Sequence, residues 1–181
     1  MAVHITIVDK HMRCQRNPLS IIVAAAAIVA LLKLTLLDIY SVEGTSMEPD
    51  LRSGQVIFVN RWNYGLQIPI WNTYIIKWNQ IKRGDVVVYG NPVTGANVVK
   101  RCYGIAGDSM LVQDMILTIG VFCIPISQSQ ETVVSHIRII PDGFIFAAGD
   151  NIRSSVDSRD YGLIPVRSLR GRVIRASGSS T

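Results

Sequence analysis

The sequence is short of the residues that most hydrolytic and metal chemistry requires. It has three histidines in 181 residues, and two of them, His4 and His11, precede a long apolar run. Only His136 is left for the rest of the chain, in the strand-like run SHIRII with no carboxylate at motif spacing. A lone histidine of that kind is more often structural than catalytic, so a Ser-His-Asp triad has little support. No His, Cys or carboxylate residues fall at zinc-ligand spacing, which argues against a metal site. Cysteines number three: Cys14 lies before the apolar run, Cys102 and Cys123 after it. Their spacing leaves open whether the latter two pair. Internal repeats and low-complexity segments are lacking. Beyond Tyr40 there is also no long apolar pattern of period 3.6, which argues against a helical domain.

What the chain does have is one long hydrophobic run. Residues 18–37 read PLSIIVAAAAIVALLKLTLL, with Lys33 as the only charge. About 20 apolar residues span a bilayer core. A cleaved signal peptide and a buried core helix compete, but the run is too long for an ordinary signal core and no small-x-small site closes it cleanly. We therefore expect a cytoplasmic tail at residues 1–17, a transmembrane anchor at 18–38 and a single extracytoplasmic domain at 39–181, with Lys33 reaching its ammonium to the interface. Lys10, Arg13 and Arg16 precede the span, and Asp38, Glu43, Glu48 and Asp50 follow it. The positive-inside rule then puts the N-terminus in the cytoplasm. The net charge is +5, with Arg167, Arg170, Arg172 and Arg175 near the C-terminus. For a domain held outside a membrane this reads as a basic face near anionic lipid, with no nucleic acid as partner.

After Tyr40 the texture changes to short β-branched runs bounded by Gly, Pro, Asn and Asp, among them QVIFVNRW, DVVVYG, NVVKRCYG, MLVQDMILTIGVF, SHIRII and FIFAAG. Such spacing predicts a mainly β domain, an antiparallel sheet that is barrel-like or sandwich-like. All three tryptophans (Trp62, Trp71 and Trp78) lie in NRWNYGLQIPIWNTYIIKW, with Tyr64 and Tyr74. Aromatics with a polar handle favour the membrane interface, so a hairpin or loop resting on the outer leaflet is expected there.

With histidine lacking, lysine is the alternative base. Its free amine titrates near 10.4, so the site must be apolar enough to depress it. In Asn97-Val98-Val99-Lys100-Arg101-Cys102, strand alternation puts Lys100 on one face with Val98 and Cys102. By itself this pattern also fits a surface lysine on a half-exposed strand.

Four ordered segments add to it. Ser46-Met47-Glu48-Pro49-Asp50-Leu51 follows the apolar run, then come Lys82-Arg83-Gly84-Asp85, Val99-Lys100-Arg101 through Gly107-Asp108, and Gly149-Asp150-Asn151 with Ser155, Asp157-Ser158-Arg159 and Tyr161-Gly162. In order and spacing they resemble the conserved boxes of bacterial type I signal peptidases, over roughly residues 18–175. The resemblance implies an endopeptidase with Ser46 as nucleophile and Lys100 as general base, then acid. It implies that the Ser46 N–H serves the oxyanion, that Ser155 directs the Lys100 amine, and that Met47 packs beside nucleophile and substrate. Asp157 and Arg159 would form a supporting ion pair, and Gly149 and Asp150 would hold the Ser155 segment. Three positions depart: Gly44 stands where some members carry a serine that completes the oxyanion hole, Asp50 where a Thr is expected, and Ile152 where an Arg often stands. The short 109–140 segment suggests a small insertion.

The reading is thus a signal peptidase of the bacterial cytoplasmic membrane. It would cleave preprotein signal peptides after small-x-small sites such as Ala-x-Ala, without cofactor or metal. The strand before Ser46 and the strand carrying Val98, Val99 and Lys100 would clamp the substrate. A dedicated peptidase for a pilin or conjugative-transfer protein is the alternative. A non-catalytic signal-peptide binder and a cytosolic self-cleaving repressor fit less well, the first because Ser46 and Lys100 are intact, the second because of the anchor.

Overall fold

The computed structural model describes residues 18–68, 73–77 and 80–176; of these, the side chains of residues 18, 28–35, 66–68, 73–77 and 175–176 lie outside the description. The chain divides into two units, Met1–Leu34 and Thr35–Thr181. Helix α1 runs over Pro18–Leu36, opened by a proline whose fixed φ suits a first helical turn. Leu19, Ile21, Ile22 and Val23 on it are exposed. Among the described residues no helix is long and apolar enough to cross a membrane. The tail at 1–17, with His4, Lys10, His11, Arg13, Cys14 and Arg16, lies outside the described residues.

The helix ends earlier than the expected span. Leu37–Ser41 is a strand, β1, paired with β2 at Val56–Asn60. Pairing decides this boundary: the side chain of Asp38 meets Arg61 at 3.5 Å, a contact made at the start of a sheet.

The second unit is mainly β and antiparallel. After β1 and β2 come β3 (Gly65–Ile68), β4 (Thr73–Lys77), β5 (Val86–Gly90), β6 (Asn97–Gly104), β7 (Met110–Gln113), β8 (Ile116–Ile119) and β9 (Phe122–Pro125). Helix α2 (Gln128–Val134), β10 (Phe144–Ala148), the one-turn helix α3 (Ser158–Tyr161), β11 (Ile164–Pro165) and β12 (Leu169–Ala176) complete it. The main sheet runs β1-β2-β12-β5-β6-β10-β11, with a β3-β4 hairpin and a β7-β8-β9 sheet beside it.

The central strands are covered on both faces. Along β5, Val87 and Tyr89 pack with Cys102, Ile145, Ala147, Ile164 and Leu169, while Val88 turns to Val42, Met47, Leu51, Ile57 and Val59. Along β10, Ile145 and Ala147 face the first group, and Phe146 and Ala148 face a third with Met110, Leu117, Ile119, Ile124 and Val134. This is why DVVVYG and FIFAAG read as continuous apolar runs rather than alternating ones.

Three expectations need correction. MLVQDMILTIGVF is not one run: Asp114 and Met115, at φ 51° and 61°, turn it back on itself between β7 and β8, as a two-residue hairpin requires. SHIRII is not a strand. It follows α2, and only Ile139 makes a bridge, to Ser109; His136 is exposed there. Two short helices were not expected, and both start on capping boxes, Ser127 with Gln130 and Asp157 with Asp160. The aromatic stretch does contain a hairpin, β3-β4, but Trp71, Trp78 and the side chain of Tyr74 lie outside the described residues.

Candidate active site

Ser46 sits on a turn just after β1. Glu48 N–H donates to the Thr45 carbonyl and Leu51 N–H to that of Met47, at 3.1 and 2.9 Å. Met47 and Leu51 sink into the core at 1% and 4% exposure and fix the turn from below. From above, Asn151 holds it twice: its N–H donates to the Ser46 carbonyl at 3.0 Å and its side-chain amide to that of Thr45 at 3.1 Å. Thr45 Oγ1 also shares a hydrogen bond with Ser154 Oγ. Among the described residues the Ser46 N–H makes no hydrogen bond.

Lys100 comes from β6, where it stands opposite Val87 of β5. It is 4% exposed, and its Nζ is hydrogen-bonded to Ser46 Oγ at 2.7 Å. Burial lowers its pKa from the ordinary lysine value, because a buried amine loses the water that would solvate its charge. The nearby Asp157 pushes the other way and Arg159 opposes Asp157.

Around this pair lies a buried polar cluster. Asp157 and Arg159, at 0% and 1% exposure, form an ion pair at 2.8 Å. The Asp157 carboxylate also accepts from Ser155 Oγ at 2.6 Å and Gly149 N–H at 2.9 Å. Burial alone would raise its pKa, but these donors outweigh burial and hold it below the usual carboxylate value. Ser155 was expected to hold the Lys100 amine. Instead it gives its proton to Asp157, and no hydrogen bond joins it to Lys100 among the described residues. Gly149 is where these groups crowd: a Cβ on it would lie 2.4 Å from both Ser155 Oγ and the Ser46 carbonyl oxygen.

Met47 was also expected to touch substrate, but it is buried among Val42, Leu51, Ile57, Val59 and Val88. Gly44 has φ +80° with open space where a side chain would be. Asp50, one of the departures, meets Arg101 at 2.6 Å, and Arg101 also grips Asp150 at 2.7 Å. That guanidinium ties the serine turn to the Gly149-Asp150 segment. Asn151 and Arg101 were not singled out from sequence; their signal was position inside the final and lysine segments, without any hint of the contact each makes. Cys102 is buried and Cys123 exposed, both as free thiols.

A cleft of about 290 Å³ opens beside the pair, between residues 40–43 and residues 97–100. Among the described residues both walls present unpaired strand edges. Val42 exchanges hydrogen bonds with Gln55 and Gly54, so alternation turns the main-chain groups of Ser41 and Glu43 away from β2. Cys102 exchanges hydrogen bonds with Asp85 and Gly84, so those of Val99 and Asn97 turn away from β5. Pairing with β10 stops at Arg101, leaving them open. Val98 and Val99 line the cleft with Ile57 and Val88.

Over residues 15–176 the chain matches the family described as "Signal peptidase, peptidase S26". It is similar to the mitochondrial inner membrane protease subunit 1 of Mus musculus, 31% identical over 72% of this chain and 63% of that protein. It is also similar to the signal peptidase I of Bacillus caldolyticus, 30% identical over 82% of this chain and 84% of that one. Among solved structures, a signal peptidase I from Enterococcus faecalis aligns at 25% identity and a TM-score of 0.42, over 52% of this chain and 97% of that one.

Proposed function

Because the chain belongs to the signal peptidase family, peptidase S26, we propose that it is a membrane-anchored serine endopeptidase. It removes signal peptides from exported preproteins after small-x-small sites. The observation that carries this reading is the 2.7 Å contact between Ser46 Oγ and the Nζ of a buried lysine.

In the neutral form, Lys100 Nζ takes the Ser46 hydroxyl proton as Oγ attacks the scissile carbonyl carbon. The ammonium so formed gives its proton to the leaving amine as the C–N bond breaks. Water then attacks the acyl ester, again passing a proton to Nζ, and Ser46 leaves with that proton. The free Ser46 N–H is the donor available to the oxyanion, and Gly44 adds no hydroxyl. Burial is the largest influence on Lys100 and lowers its pKa; Asp157, Asp150 and Asp160 favour the ammonium and Arg159 opposes it. The peptide adds as a strand between the open edges at 41–43 and 97–99, with Val98 and Val99 among the walls of a pocket for small side chains.

The run at 18–37 serves as the anchor, with the N-terminus in the cytoplasm and residues 39–181 outside. The charge imbalance between its flanks supports that orientation. The β3-β4 hairpin rests on the outer leaflet, and the chemistry calls for no cofactor.

The test is cleavage of a preprotein by the full chain in detergent. Lys100→Ala and Lys100→Arg should each lose about 10²–10⁴-fold in rate, since arginine keeps the charge but cannot act as base. Ser46→Ala should abolish turnover. Cleavage that survives any of these at the wild-type rate would sink the mechanism.

A further inference from the structure

We propose that Glu43 selects a basic side chain in the peptide substrate, as a specificity-determining residue of the cleft; this rests on the peptidase reading above.

Apart from the Tyr40 phenol, the cleft is lined by two ionisable groups, Glu43 and Lys100. Lys100 is buried and turned to Ser46. Of the neighbouring carboxylates, Asp38 is held by Arg61 and the Tyr40 hydroxyl and Asp50 by Arg101, while Glu48 is not part of the cleft wall. Glu43 is exposed and makes neither a hydrogen bond nor an ion pair among the described residues. Among the described residues it is the one carboxylate that lines the cleft.

Its backbone gives it a defined neighbour. The Glu43 N–H and C=O face the cleft, because those of Val42 are taken by Gln55 and Gly54. A peptide strand paired to that edge sets one of its side chains about 4.5–5.5 Å from Glu43, Cβ to Cβ, on the same face. A Lys or Arg there meets an opposite charge directly across the strand, and an Asp or Glu meets a like one. Among the described residues no second carboxylate lines the cleft: Ile57, Val88 and Val99 are apolar, and the Asn97 amide is neutral.

The experiment uses peptides built on one small-x-small cleavage sequence. Each carries Lys, Gln or Glu in turn at every position flanking the site, and kcat/KM is measured with the full chain in detergent. At one position wild type should prefer Lys over Glu by about five- to tenfold, the scale of one attractive and one repulsive cross-strand pair. The preference should shrink with added salt. Glu43→Gln should level it and Glu43→Lys should invert it. Equal rates at every position, or a Lys preference that persists in Glu43→Lys, would overturn the proposal. Failure of wild type to cut any peptide of the set would instead overturn the peptidase reading on which it rests.

Discussion

Replacing Gly149 with alanine tests the packing around the serine. The added Cβ would lie 2.4 Å from the Ser46 carbonyl oxygen, 2.4 Å from Ser155 Oγ and 2.7 Å from Ser155 Cβ. Ordinary contact begins near 3.4 Å, so the surroundings must yield by about 1 Å. None of them yields freely. The Ser46 carbonyl is held by Asn151 N–H, and Ser155 by its 2.6 Å bond to a fully buried Asp157. Gly149 is not in the left-handed region of φ, so the whole effect comes from contact rather than backbone strain. Overpacking of this kind costs about 1–3 kcal/mol of stability, and a 1 Å displacement of a reacting group costs on the order of 10² in rate. Gly171 supplies the comparison: there a Cβ would lie 2.4 Å from the Asn60 carbonyl oxygen, in the sheet between β12 and β2. Denaturant unfolding and single-turnover peptide cleavage should show both alanine variants destabilised, but only Gly149→Ala slowed in the fraction that is folded. A Gly149→Ala protein with wild-type stability and a turnover within about twofold would refute the packing argument.

Other consequences are tested more simply. Arg159→Met leaves the Asp157 carboxylate buried without its partner, and denaturant titration should show a loss of about 3–5 kcal/mol. Asp50→Ala should cost less than about 1 kcal/mol in the same assay, because Asp50 is 56% exposed and water screens its pairing with Arg101. Val99→Pro removes a main-chain donor that β5 does not use, a placement an edge tolerates; circular dichroism should be unchanged while KM for a peptide rises. Lys100 has a lowered pKa, so its neutral form grows in as pH rises toward that value, and kcat/KM should climb from acid toward neutral and alkaline pH.

Much of this was legible in the sequence where periodicity and local motif coincide. NVVKRCYG is strand β6 from end to end, and the alternation that set Lys100 apart from Arg101 is that of the folded strand. The sequence did not disclose which partner Ser155 takes. A serine two residues before an aspartate can donate to it or reach elsewhere, and here burial of Asp157 with Arg159 draws the hydroxyl inward. The resemblance implied that Met47 packs beside nucleophile and substrate, and nothing in the sequence showed that the turn would bury it among Val42, Leu51, Ile57, Val59 and Val88. The helices α2 and α3 are too short for a period to show. The pairing of Asp50 with Arg101 spans 51 positions of chain, a distance over which no local pattern carries information.

The central claim is that Lys100, its pKa lowered by burial, is the base for Ser46. Its most direct test compares two titrations: the acid limb of kcat/KM, and the protonation of the Lys100 amine followed by nitrogen NMR in Ser46→Ala. The account predicts one shared midpoint, below the ordinary lysine value of 10.5. A Lys100 amine that titrates at 10.5 or above while the acid limb lies elsewhere would contradict it.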